Sequence, residues 1–267
     1  MQEVRRDPEM SGDMTKLLSA GAALCFLALS GLCEAARAAD IKVLSDGPLR
    51  SVLISLVERF QRETEHKVQL FFGTGPALKT RVAGGEAADI LITPAPEAEE
   101  LTKQGKISAE GQAAVARVGI GLAIREGVPV PDIGTVDALK ETLLRADSLV
   151  FNNLASGAQF VKVVERLGIA DDVKSKSTQL SGGGTAVFDE VLKRNGRDIG
   201  IGSIIQIIEY GLNGLRLVGP LPAEVQSPTV FMAGMLANAK ATEAAKEFIR
   251  YLRMPESQAA FAAAGAN

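Results

Sequence analysis

Residues 41–92 read IKVLSDGPLRSVLISLVERFQRETEHKVQLFFGTGPALKTRVAGGEAADILI, and the alternation inside this stretch decides the fold. Residues 41–45 are a short aliphatic run with β-branched members, which predicts a strand. Leu49, Val52, Leu53, Leu56, Val57 and Phe60 then recur three and four apart, which predicts a helix over 49–63 with one apolar face. Residues 68–72 return to strand composition, 77–83 to helix and 88–92 to strand. Short strands alternating with helices predict an α/β fold whose sheets are mostly parallel.

The same alternation runs to the end of the chain. A helix is predicted over 97–104, one longer apolar strand over 116–124 and a polar turn over 125–132. Thr135 can cap a helix over 136–145, because its hydroxyl accepts from a free backbone amide. Strands follow at 149–151, 199–201, 215–218 and 229–236, and helices at 158–167, 185–194, 204–210, 242–253 and 255–264. No internal repeat or charge run interrupts them.

The start of the chain carries an export signature. Lys16 precedes an apolar run over 17–32, and Ala36-Arg37-Ala38 places small residues where a signal peptidase cuts. Residues 1–38 are read as a signal peptide cleaved after Ala38, with Met14 a candidate true start and 1–13 upstream of it. Cys25 and Cys33 lie inside this segment, each preceded by Leu rather than the small residue a lipid anchor requires, so the mature chain has no thiol and no disulfide. From residue 39 onward 25 basic residues stand against 27 acidic ones, a balance that excludes nucleic-acid binding by bulk electrostatics. Trp is absent and there are two Tyr, so aromatic platforms for sugars are scarce. The single histidine, His66, sits in a polar turn and is expected to be a solvated surface residue.

Small and polar residues gather where predicted strands hand over to helices: Ser45-Asp46-Gly47-Pro48, Gly73-Thr74-Gly75-Pro76, Asn152-Asn153 with Ser156-Gly157, Gly182-Gly183-Gly184-Thr185 and Gly202-Ser203. Each handover exposes free N–H groups backed by the positive end of a helix dipole. Several converging on one crevice make a site for an anion or a small polar molecule without any Lys or Arg. Turns and caps need the same residues, so each taken singly is as well explained by local structure. No nucleophile elbow, phosphate loop, zinc-binding helix or second histidine is present, and no cofactor is implied. A secreted enzyme built on carboxylates alone would need two acidic residues in its cleft.

The order of elements around Ala87-Ala88-Asp89-Ile90-Leu91-Ile92 and Val118-Gly119-Ile120-Gly121 resembles type II periplasmic solute-binding proteins. Residues 72–92, 157–168 and 199–201 are similar to the molybdate-binding branch. The resemblance implies two α/β lobes, the first from 39–118 and 230–267 and the second from 119–229, crossing near 118–123 and 230–234. It implies a ligand held in the interlobe cleft by hinge closure, and a monomer in the periplasm that delivers to an ABC transporter permease. Carried over, the family's ligand positions fall at or beside Ser45, Asp46, Gly47, Pro48, Thr74, Gly75, Asn153, Ser156, Thr185 and Ser203. Two hydroxyl positions of the family are taken here by Pro48 and Gly75 and its tyrosine by Ser203, and Pro48 has no N–H to donate. Asp46 admits two readings, a helix cap or a group facing the cleft. In the second, an ionised Asp46 at ~4–5 Å from a unit negative charge costs roughly 3–4 kcal/mol. A molybdate-like oxyanion is the favoured ligand. A small polar organic solute, or a role as an extracytoplasmic sensor, is the alternative.

Overall fold

The three opening strands lie side by side, with β1 (Asp40–Asp46) parallel both to β2 (Lys67–Gly73) and to β3 (Ile90–Pro94). In this computed structural model the described residues are 38–266; the predicted signal segment, with Cys25 and Cys33, falls outside them apart from its last residue. Between the strands run α1 (Arg50–Glu63) and α2 (Gly75–Ala83), and α3 (Ala95–Lys103) follows β3. The six apolar residues read from the spacing of α1 are all buried, with Leu49 directly before the helix. They pack against Ile41, Val43 and Ile90 of the sheet and against Phe248 and Leu252 of α9 (Thr242–Leu252).

The apolar run predicted as one strand over 116–124 is two. Strand β4 (Ala113–Val118) ends at Gly119, and β5 (Ile120–Arg125) begins in a different sheet. Its continuity concealed the break because residues on either side of Gly119 are buried in separate cores. A side chain at Gly119 would displace Gln226, since a Cβ there would stand 2.9 Å from its Nε2. Gln226 clamps the crossing, donating to the Ile120 carbonyl at 2.8 Å and accepting from the Ile120 amide at 3.2 Å.

The second sheet is assembled from β5, β6 (Ser148–Asn152), β7 (Ser177–Leu180), β8 (Asp198–Ser203) and β9 (Leu215–Pro220), in the order β7-β6-β8-β5-β9. Its helices are α4 (Val136–Arg145), α5 (Ala155–Arg166), α6 (Ala170–Lys174), α7 (Gly184–Lys193) and α8 (Ile204–Tyr210). The chain then returns to the first sheet as β10 (Thr229–Met235), which sits antiparallel between β3 and β4, and ends with α9 and α10 (Pro255–Ala263). In each sheet four strands run in one direction and the crossing strand, β10 or β5, runs against them. The fold is therefore α/β with two lobes, each a mostly parallel sheet flanked by helices. Strand β7, with the polar sequence STQL, carried no signal in the chain.

His66 is not the solvated residue its sequence neighbours suggested. Glu65 adopts a left-handed conformation (φ 49°) that turns the chain back after α1. The His66 ring consequently stacks on Phe60, is 5% exposed, accepts from the Ala39 amide at 3.1 Å and faces Glu247 at 3.3 Å.

Candidate functional site

Between the two sheets lies a cavity of about 70 Å³, walled on one side by the end of β1 and the start of α2, and on the other by the starts of α5, α7 and α8. The parallel strands β1, β6 and β8 end here, so the helices that follow them or their neighbours point their N-termini inward. Thr74, Leu154 and Gly183 are the N-cap residues of α2, α5 and α7, and none makes a side-chain cap bond. These helices are nine, twelve and ten residues long, so each presents a partial positive charge to the cavity. Ser203 stands before α8, is 5% exposed, and its buried hydroxyl has no hydrogen-bond partner.

The sequence-derived positions divide. Asp46, Gly47, Pro48, Thr74, Ser156 and Ser203 line the cavity. Ser45 is fully buried behind it, its hydroxyl donating to the Asp46 carbonyl at 3.2 Å. Gly75 is buried beside Asp46, outside the lining. Asn153 is exposed, its amide donating to the Leu180 carbonyl, and its neighbour Asn152 lines the cavity instead. The pleat explains this, since adjacent residues at a strand end face opposite sides. Oδ1 of Asn152 accepts from the Leu154 and Gly157 amides and from the Ser156 hydroxyl, fixing the first turn of α5. Thr185 is likewise exposed, because α7 begins one residue earlier and Gly183 and Gly184 form the wall.

Gln206 was missed, although a lone Gln in Ile204-Ile205-Gln206-Ile207-Ile208 is a readable anomaly. It spans the cavity: a Cβ on Gly184 would meet its Oε1 at 2.6 Å, and one on Gly47 its Nε2 at 4.0 Å. Thr229, at the start of β10, also lines the site and accepts from Nε2 of Gln159 on α5.

Asp46 fulfils both readings at once. It caps the single 3-10 turn at 47–49, accepting from the Gly47 amide at 2.8 Å, and it lines the cavity at 8% exposure. Burial is the chief reason its carboxyl is pushed up from 3.8 to about 7; the Gly47 and Gly75 amides oppose that rise and the charge of Glu97 adds to it. Glu97 lies on α3 behind Gly75. A Cβ on Gly75 would sit 3.3 Å from Oδ2 of Asp46 and 3.4 Å from Oε1 of Glu97, and Oε2 of Glu97 is buried without a partner. Among the described residues, Asp46 is the one ionisable side chain in the lining, and no Lys or Arg lines the cavity.

A larger hollow of about 340 Å³ lies on the second lobe against α4, among Pro129, Glu141 and Arg145. It gathers no helix N-termini, so the interlobe cavity is the better site.

A model of the family described as bacterial extracellular solute-binding protein matches residues 41–267. Aconitate isomerase from Pseudomonas sp. is 24% identical over 254 residues, covering 93% of this chain and 94% of that one. Among solved structures, the periplasmic molybdate-binding protein of Azotobacter vinelandii superposes with a TM-score of 0.71 at 18% identity, covering 85% of this chain and 98% of that one. The substrate-binding domain of a putative molybdenum ABC transporter from Clostridium difficile gives a TM-score of 0.70 at 15% identity, covering 86% and 99%. The two sheets, the double crossing and the match over 41–267 agree: the chain belongs to the bacterial extracellular solute-binding proteins, with the type II periplasmic-binding fold.

Proposed function

We propose that this protein is the exported solute-binding component of an ABC importer and captures a small tetrahedral oxyanion, molybdate-like in size and charge, between its lobes. The observation that carries the reading is the convergence of the N-termini of α5 and α7, the Thr74 hydroxyl and the unpartnered Ser203 hydroxyl on one cavity of about 70 Å³. Such donors suit an anion. The volume lies far below the ~300–1,000 Å³ of pockets that enclose drug-sized ligands. The first lobe is taken as 39–118 with 230–267 and the second as 119–229, hinging at Gly119 and at the 221–228 connection. The signal peptide directs the chain to the periplasm, where it works as a monomer and hands its ligand to a membrane permease. Thermal unfolding of residues 39–267 against molybdate, tungstate, sulfate and phosphate tests the ligand class. Binding to the folded state at a thousandfold excess over Kd adds ~4 kcal/mol. A rise with none of these anions, but with an organic solute, would refute the oxyanion.

A second reading is favoured by Asp46 itself. A carboxyl that titrates near neutrality in a cleft can take a proton from one carbon of an unsaturated acid and return it to another, and one relative is an aconitate isomerase. That role needs a single acid but more room than about 70 Å³, hence lobes further apart than here. Incubation with cis- or trans-aconitate in deuterated water, followed by NMR, decides it: deuterium entering the acid supports the isomerase, and an unchanged spectrum excludes it.

A further inference from the structure

The first lobe is short of donors. Of its two junctions, Pro48 and Pro76 have no N–H, the Gly47 amide is already given to Asp46, and the Gly75 amide also faces Asp46. The Thr74 hydroxyl, free of any cap bond, is the donor that remains, beside whatever Asp46 can offer. The second lobe, by contrast, supplies the N-termini of α5 and α7 and the Ser203 hydroxyl. An ionised Asp46 would add a buried negative charge to a cavity with no lysine or arginine in its lining.

Resting on the oxyanion reading, we propose that Asp46 enters the ligand complex as a neutral carboxylic acid and donates its O–H to the bound anion, so that one proton is captured with each anion. The neighbours of Asp46 favour the proton. Glu97, from α3, is the charged group facing it; Gly73 from β2, Gly75 from α2 and Gln206 from α8 are uncharged. Glu97 keeps one buried oxygen unpartnered and meets Asp46 around Gly75, while Lys79 of α2, within electrostatic reach of Glu97, is paired with Glu100. The charge of Glu97 disfavours an ionised Asp46, and a bound anion adds a further negative group. The free acid already holds its proton part of the time near pH 7, and the anion completes the uptake. At higher pH that proton comes from solvent. Asp46 thereby replaces the hydroxyl that Pro48 displaced, with a donor whose strength depends on pH.

The test is titration calorimetry of the 39–267 protein with molybdate and with sulfate, neither of which carries a proton of its own between pH 6 and 8.5. It is run at both pH values in two buffers of different ionisation enthalpy, which reads proton uptake directly. The expected result is affinity that weakens about tenfold for each pH unit above the Asp46 midpoint, with uptake approaching one proton at pH 8.5. Asp46→Asn, whose amide donates at every pH, is expected to bind with a Kd independent of pH and without proton uptake. An oxyanion bound equally at both pH values by the unaltered protein, with no uptake, overturns the proton on Asp46 while leaving the oxyanion reading intact. No binding of either anion at pH 6, by the protein or by Asp46→Asn, overturns the oxyanion reading itself and this inference with it.

Discussion

Replacing Asp46 by Asn should reverse part of the pH dependence of stability even with no ligand present. The Asp46 carboxyl ionises near 3.8 in an open chain and at about 7 in the folded protein, chiefly because it is buried at the cleft. A group whose folded value is raised binds more protons in the native state, so its contribution is full below pH 3.8 and is lost as pH climbs through 7. Between pH 5 and pH 8 the loss integrates to roughly 2.5 kcal/mol, taking 1.36 kcal/mol per pH unit up to the folded midpoint. Asn keeps the shape and can still accept from the Gly47 amide, but cannot ionise. The variant should therefore gain on the parent by about 2.5 kcal/mol between those pH values, ~5–10 °C in Tm for a chain of this size. Urea denaturation of both proteins at pH 5, 6, 7 and 8 measures it. A difference between parent and variant that stays flat across the series would show that Asp46 is ionised and solvated throughout, and the reasoning about its burial would fall.

Four other substitutions probe the frame and the site. Gly157→Ala would put a Cβ 1.6 Å from the Asn152 carbonyl, so α5 must leave β6; a loss on the order of 4 kcal/mol is expected in chemical denaturation. Asp89→Ala removes the acceptor of the Lys42, Lys240 and Ala241 amides and should cost about 3 kcal/mol or more, read as an earlier urea midpoint. Gln226→Leu strips both bonds from Ile120 at the crossing and should destabilise by about 2 kcal/mol; small-angle scattering would also register a wider spread of lobe separations. Ser203→Ala should leave stability unchanged or slightly raised, since its hydroxyl has no partner, while weakening anion binding by roughly tenfold or more in calorimetry.

What could be read from the chain was whatever depends on periodicity. The apolar face of α1 is legible because one buried stripe at 3.6-residue spacing has a single structural meaning. The junctions were legible as a set, since a strand handing over to a helix needs small residues wherever it does so. The rest was decided by parity and by third partners. One residue separates Asn152 from Asn153, and only the register of β6 says which faces the cavity. One residue of helix start puts Gly184 in the wall and Thr185 outside it. Nothing in the chain singled out Glu97, the first residue of a predicted helix. Its meeting with Asp46 passes across Gly75, a contact between three segments that no spacing along the chain encodes.

On the proposed oxyanion reading, the donor imbalance between the lobes would also order the events of capture. With α5, α7 and Ser203 on one side, an anion entering an open cleft finds a nearly complete set of donors on the second lobe alone. If the first lobe closes as proposed, it brings the Thr74 hydroxyl and Asp46, and an ionised Asp46 within ~4–5 Å of the anion would oppose closure by roughly 3–4 kcal/mol per unit charge. Protonation of Asp46 therefore acts on closure more than on first contact. At pH 8.5 contraction of the radius of gyration should require far more anion than at pH 6, about tenfold more for each pH unit above the Asp46 midpoint. Asp46→Asn should contract at both. Contraction of the parent protein at the same anion concentration at both pH values would separate the carboxyl from the hinge and leave the second lobe as the sole determinant of the closed state.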